Sequence, residues 1–113
     1  MTDYQRRSDI ATAPSLLALA RPEGQAFMAF NHVTEREDGA IPRKYRELIA
    51  LGVALTTQCS YCIDVHTRQA RALGVAKEEL AEAAFIAAAV RAGGVLAHSL
   101  MALRLFEAEE KSG

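Results

Sequence analysis

The sequence predicts an all-α protein, and three observations carry that expectation. Ala and Leu dominate a chain of 113 residues that has no Trp and few aromatics, a composition that favours helices over strands. Apolar residues recur at helical rather than alternating spacing, as in Ala26, Phe27, Phe30 and Val33. Pro22 and Gly74 stand where helices tolerate their first proline and their terminal glycine. The length is that of one domain, 1–113, with a core expected over about 22–108 and about five to six helices.

Taken in order, residues 1–13 are polar at first and lack a clear period. They are expected as a loose arm, available to pack on a neighbour. Pro14 to Leu19 reads as one or two helical turns. The next helix runs from about Pro22 to Glu35, and the charged run to Asp38 with Gly39 ends it. Ile41-Pro42-Arg43-Lys44 opens a third segment. Leu48, Ile49, Leu51, Val53 and Leu55 make it apolar on nearly all sides, as in a buried helix, and Thr56-Thr57-Gln58 weakens it. Ser60 begins a fourth helix that Gly74 stops near Leu73. Lys77-Glu78-Glu79 opens a fifth, with acids where the helix dipole favours them. Gly93-Gly94 suggests a break or a close helix contact, so a sixth helix is expected from about Val95 to Ala108.

From Ala83 to Leu103 only Arg91 is charged, which raises a membrane span as one reading. The Ala content, the paired glycines and the cost of a central Arg, about 2.5 to 3.5 kcal/mol, argue against it. A buried helix pair is expected instead, part of it meeting another subunit, because a small domain can hardly hide so apolar a run. Thirteen basic residues against fourteen acidic ones give no basic face for nucleic acid. The first thirty residues hold Asp3, Arg6, Arg7, Asp9, Arg21 and Glu23 with no sustained apolar core, so a secretory signal is not expected and the cytoplasm is the default compartment.

The chemistry concentrates at Cys59-Ser60-Tyr61-Cys62-Ile63-Asp64-Val65-His66. The two cysteines are the only ones in the chain. In a reducing compartment such a pair points to catalysis or metal binding rather than a permanent staple. At a helix start, unpaired N–H groups and the positive dipole end stabilise a thiolate, which favours Cys59 as the more acidic thiol. Cys62, one turn on, lies within disulfide reach. His66 is four residues beyond Cys62, on the same helix face, where an imidazole can accept or return a thiol proton. Glu47 lies roughly 15 Å from the end of its helix and His66 roughly 10 Å into the next, so an antiparallel pair of helices brings them to similar heights. A lone acid on an apolar helix needs a partner, and a histidine would satisfy it and be oriented by it. Glu47 has a plainer alternative, a surface helix start beside Arg43, Lys44 and Arg46. Tyr61 is read as packing or as a gate on the thiols; His32 and His98 are read as structural.

Zinc is the rival chemistry, with Cys59, Cys62 and His66 as ligands and Glu47 as a fourth. The second Cys or His pair usual in structural zinc sites is missing from the sequence. Haem attachment fails because Ile63, not histidine, follows Cys62. A thioredoxin-like domain needs a βαβ context that a helical chain does not offer.

Glu47, Cys59-x-x-Cys62 and His66, set in "RELIALGVALTTQCSYCIDVHTRQARALGV", closely resemble the alkylhydroperoxidase D-like (AhpD-like) branch of the carboxymuconolactone decarboxylase family. The resemblance extends from about Asn31 to Ala97. It implies an AhpD-like helical bundle that assembles as a homotrimer or homohexamer, in the single-unit form. It implies a hydroperoxide as small-molecule substrate and a peroxidase or disulfide-reductase cycle without haem, metal or another cofactor. It further implies that Cys62 attacks the peroxide, that Cys59 closes the disulfide, and that His66 and Glu47 relay the proton. A dithiol such as a lipoyl-type protein partner would restore the thiols. The decarboxylase branch lacks this dithiol, so lactone decarboxylation is not expected.

Overall fold

A computed structural model describes residues 4–112. Those residues form a 3-10 helix, Arg7–Thr12, and five α-helices, with no strand among them. The helices are α1 (Ala13–Leu19), α2 (Arg21–Thr34), α3 (Arg43–Thr57), α4 (Ser60–Ala72) and α5 (Lys77–Ser112).

Pro14 and Pro22 sit in the first turns of α1 and α2, where a missing N–H costs nothing. The two helices meet at Gly24, the buried residue of α2. A Cβ there would lie 2.5 Å from the Leu17 carbonyl oxygen. Arg46 of α3 donates to the carbonyls of Thr34 and Ile41 at 2.9 and 2.8 Å and so pins the loop between α2 and α3.

The joint between α3 and α4 positions the site. Gln58 adopts the left-handed conformation, φ 58°, and ends α3. The N–H of Cys59 then returns to the carbonyl of Ala54 at 3.1 Å, the six-residue bond of a Schellman motif. Cys59 is also the N-cap of α4, its carbonyl accepting the first helical bond from Ile63 at 2.9 Å. One left-handed residue therefore turns the chain from α3 into an antiparallel α4. The same motif ends α4, with Gly74 at φ 81° and Val75 N–H bonded to the Ala70 carbonyl. At the start of α5, Glu79 accepts from the Ala76 N–H at 2.9 Å and from Lys44 of α3 at 2.9 Å. The Ala76 bond and then the Lys44 bond hold the Glu79 carboxyl below its ordinary range.

The packed core is small. Leu51 and Ala54 of α3 and Ala70 of α4 are its buried apolar residues, and Glu47 lies on the same stripe of α3. This core joins α3 to α4 and to the first half of α5, where Arg91 reaches across to the Thr56 carbonyl at 2.7 Å.

Two expectations need correction. The polar N-terminus is not a loose arm over its described part, because the 3-10 helix docks on α4 of its own chain; Met1–Asp3 lie outside the described residues. Nor do Gly93 and Gly94 break a helix pair: α5 runs unbroken for 36 residues. Two glycines cost about 1 kcal/mol each in a helix, too little to end one flanked by Ala and Leu on both sides. Among the described residues, the neighbouring turns of α5 apart, no atom would lie within 4 Å of a Cβ placed on either glycine.

The second half of α5 projects from the core, with Val95, Leu96, Leu100 and Phe106 exposed. The Lys77–Glu110 stretch is long enough, and apolar enough over an 18-residue window of mean hydropathy 1.6, to cross a membrane by length and composition alone. The radius of gyration is 19.2 Å, against about 13 Å for a compact chain of this length.

A candidate dithiol site at the start of α4

The sulfur of Cys59 occupies the place of an N-cap oxygen, accepting the Cys62 backbone N–H at 3.3 Å. That N–H is one of the four a helix start leaves unpaired. Cys59 and Cys62 are joined as a disulfide with Cα atoms 5.3 Å apart, so the structure shows the oxidised form. Both are half-buried.

One turn further on, His66 Nδ1 lies 2.7 Å from Glu47 Oε2. Glu47 is only 1% exposed, which removes the surface alternative for it. The antiparallel turn at Gln58 brings the two heights together, as the helix rises predict. Glu47 is enclosed by more than His66. Arg43, four residues earlier on α3, donates to Oε1. Gln69, its amide oriented by the surrounding donors and acceptors, donates to Oε1 at 2.8 Å and to Oε2 at 3.2 Å. The other side of the Arg43 guanidinium faces Glu35 Oε2 at 3.7 Å, and Asn31 donates to Glu35 at 3.4 Å. No buried side-chain nitrogen or oxygen among the described residues is left without a partner.

Arg43, Gln69 and Glu35 were not singled out from the sequence. The signal for the first two was present: Arg43 stands four before Glu47 and Gln69 three after His66, both helix-neighbour spacings. Glu35 is brought in by the α2–α3 loop, which no local pattern encodes.

The docked arm borders the same helix start. Arg7 grips Asp64 with two bonds of 2.9 and 2.8 Å, and these hold the Asp64 carboxyl below its ordinary range, with Arg68 adding to the effect. The Tyr61 hydroxyl donates to Asp9 at 2.7 Å. That bond lowers Asp9 and raises Tyr61 from their ordinary values. Tyr61 is thus a clasp for the arm. A hollow of about 280 Å³ lies between them, lined by Arg7, Ile10, Ser60, Tyr61 and Asp64 among others. His32 and His98 are exposed. Among the described residues no group of three or more His, Cys, Asp or Glu side chains is placed to hold a metal ion.

An all-helical chain with a cysteine pair closed on one helix start, beside a buried acid and imidazole, belongs to the class of helical dithiol proteins. It is a member of the carboxymuconolactone decarboxylase family, which matches residues 22–105. The chain is 40% identical over 82 residues to "Uncharacterized protein 4 in cox locus" of Paracoccus denitrificans, covering 73% of each chain. It is 32% identical over 93 residues to an uncharacterized protein of Cupriavidus necator, covering 80% of this chain and 82% of that one.

Proposed function

We propose that this protein is a thiol-dependent peroxidase of the alkylhydroperoxidase D-like branch. The observation that carries the proposal is the Glu47–His66 hydrogen bond one turn from a closed Cys59–Cys62 disulfide. In the reduced protein the Cys62 thiolate attacks the terminal peroxide oxygen. The O–O bond breaks, Cys62 becomes a sulfenic acid, and the leaving alkoxide takes a proton from His66. The Cys59 thiol then gives up its proton as its sulfur displaces hydroxide from the Cys62 sulfur, forming the disulfide, and that proton and the hydroxide leave as water. A dithiol, free or lipoyl-type on a protein partner, returns two electrons and two protons. Glu47 orients the imidazole throughout. The Cys62 N–H at the Cys59 sulfur stabilises that thiolate, which makes Cys59 the better leaving group when the reductant attacks Cys62. A reducing cytoplasm suits this cycle.

The assembly belongs to the proposal. The chain exposes 9139 Å², where a compact monomer of this size exposes about 6,000 Å². The difference is on the scale of an obligate homo-oligomer interface. A homotrimer or homohexamer that buries the second half of α5 accounts for it, with no membrane and no nucleic acid involved. Light scattering in detergent-free buffer should give three or six chains. Leu100→Glu with Phe106→Glu should lower that mass; a single chain in the unmodified protein, or one soluble only in detergent, refutes the assembly.

The activity test is a titration of the reduced protein with an organic hydroperoxide, counting thiols and mapping products by mass. Two thiols should be lost as the Cys59–Cys62 disulfide, much more slowly in His66→Ala. A sulfenic acid should be trapped in Cys59→Ser and not in Cys62→Ser. Thiols that survive excess peroxide sink the peroxidase reading. Thiols that oxidise readily with disulfides but slowly with peroxide make the protein a disulfide reductase or redox sensor instead.

A further inference from the structure

We propose that Arg43 is a positioning residue of the site. Its charge holds Glu47 as a carboxylate and so keeps His66 neutral, protonated on Nδ1, with Nε2 free to take a proton. The inference deepens the proton relay proposed above and rests on it.

Local helix physics does not explain Arg43. It is the first residue of α3, at the positive end of the dipole, where a cation is unfavourable. Its pair with Glu47 runs in the weaker direction for such spacing, with the cation nearer the N-terminus. The position makes sense only through its partner. The Glu47 side chain is 2% exposed and that of Arg43 16%. A carboxylate so enclosed needs one matching positive charge.

The charged and titratable groups that meet there are Glu35 at the end of α2, Arg43 and Glu47 on α3, and His66 on α4, with Cys62 four residues before His66 on the same helix. Gln69 adds neutral donors. Glu35, part-exposed, steadies the outer edge of the guanidinium at 3.7 Å. With Arg43 present, Glu47 is neutralised and His66 need only donate its Nδ1 proton to Oε2. Without Arg43, His66 is the nearest group that can supply the missing charge. It does so by becoming an imidazolium, which has no lone pair for a thiol proton. Arg43 therefore decides whether His66 serves as a base at neutral pH.

The test is nitrogen NMR of labelled histidine in the reduced protein at pH 7, with no peroxide present. The unmodified protein should show His66 protonated on Nδ1 alone. Arg43→Gln should show both ring nitrogens protonated, and Arg43→Lys should keep the unmodified pattern. Glu47→Gln should mix the two neutral forms. In Arg43→Gln the pH profile of Cys62 alkylation should move down by about one unit, because the imidazolium that forms at His66 favours the thiolate one turn away. An unmodified His66 pattern in folded Arg43→Gln overturns the proposal, as does an Arg43→Lys protein that behaves like Arg43→Gln. If Arg43→Gln does not fold, Arg43→Lys decides alone: a neutral Nδ1-protonated ring supports the assignment and any other state overturns it. Failure of the peroxidase reading is separate, because it appears only on adding peroxide.

Discussion

Replacing Glu47 with Ala removes the centre of a buried network and leaves Arg43 and His66 facing an empty place. Removing one partner of a buried ion pair costs about 3 to 5 kcal/mol. Two features place this case at the low end. The Arg43 side chain keeps 16% exposure and has Glu35 at 3.7 Å as a second partner. His66 keeps 22% side-chain exposure, so water can replace the lost acceptor. The expected loss is therefore about 3 kcal/mol. With a urea slope of about 1.5 kcal/mol per molar, the unfolding midpoint should fall by about 2 M. The assay is urea denaturation followed by circular dichroism, with the disulfide intact and protein concentration fixed, since self-association adds to stability by mass action. Glu47→Gln keeps the shape and one acceptor and should cost less. A midpoint shift in Glu47→Ala below about 0.5 M would refute the reasoning, because the network would then add little beyond hydration of its parts.

Three further outcomes follow from the geometry. Gly24→Ala puts a methyl against the backbone of Leu17 and should destabilise by about 1 to 3 kcal/mol, read as a lower urea midpoint. Gln58→Gly removes a side chain from left-handed backbone, a strain of about 1 to 2 kcal/mol, offset by about 0.5 to 1 of added chain entropy; a small rise in melting temperature is expected, and a fall counts against the strain argument. The N-terminal 3-10 helix should release at low pH. Asp9 and Asp64 are both lowered in the folded state, by the Tyr61 and Arg7 hydrogen bonds respectively. Their contribution is thus full above the unfolded carboxylate value, about 3.9, and is lost as pH falls through the lower folded values. Tyr61 is raised, so its share is full below about 10 and is lost as pH rises through the folded value. Amide exchange along 7–12 should quicken at both extremes, and protection unchanged by acid refutes the docking bonds.

The cysteine pair, its histidine and the lone acid could be read from the sequence because each is marked locally. A two-residue gap at a helix start, a four-residue step along one face and an acid inside an apolar run need no knowledge of the fold. Proline and glycine likewise mark the ends of α1, α2 and α4 by their own backbone limits. The height of Glu47 against His66 followed from helix rise alone, once an antiparallel turn was assumed.

What the sequence by itself determined, then, is the helical class and the four chemical groups, because both rest on short-range geometry. Tertiary structure decided which charges enclose Glu47, since a burial of 1% and a shared guanidinium depend on three helices meeting. It also decided that the N-terminal arm docks, through side chains more than fifty residues apart. And it decided that α5 stays whole, because two glycines weaken a helix by an amount that its long apolar context outweighs.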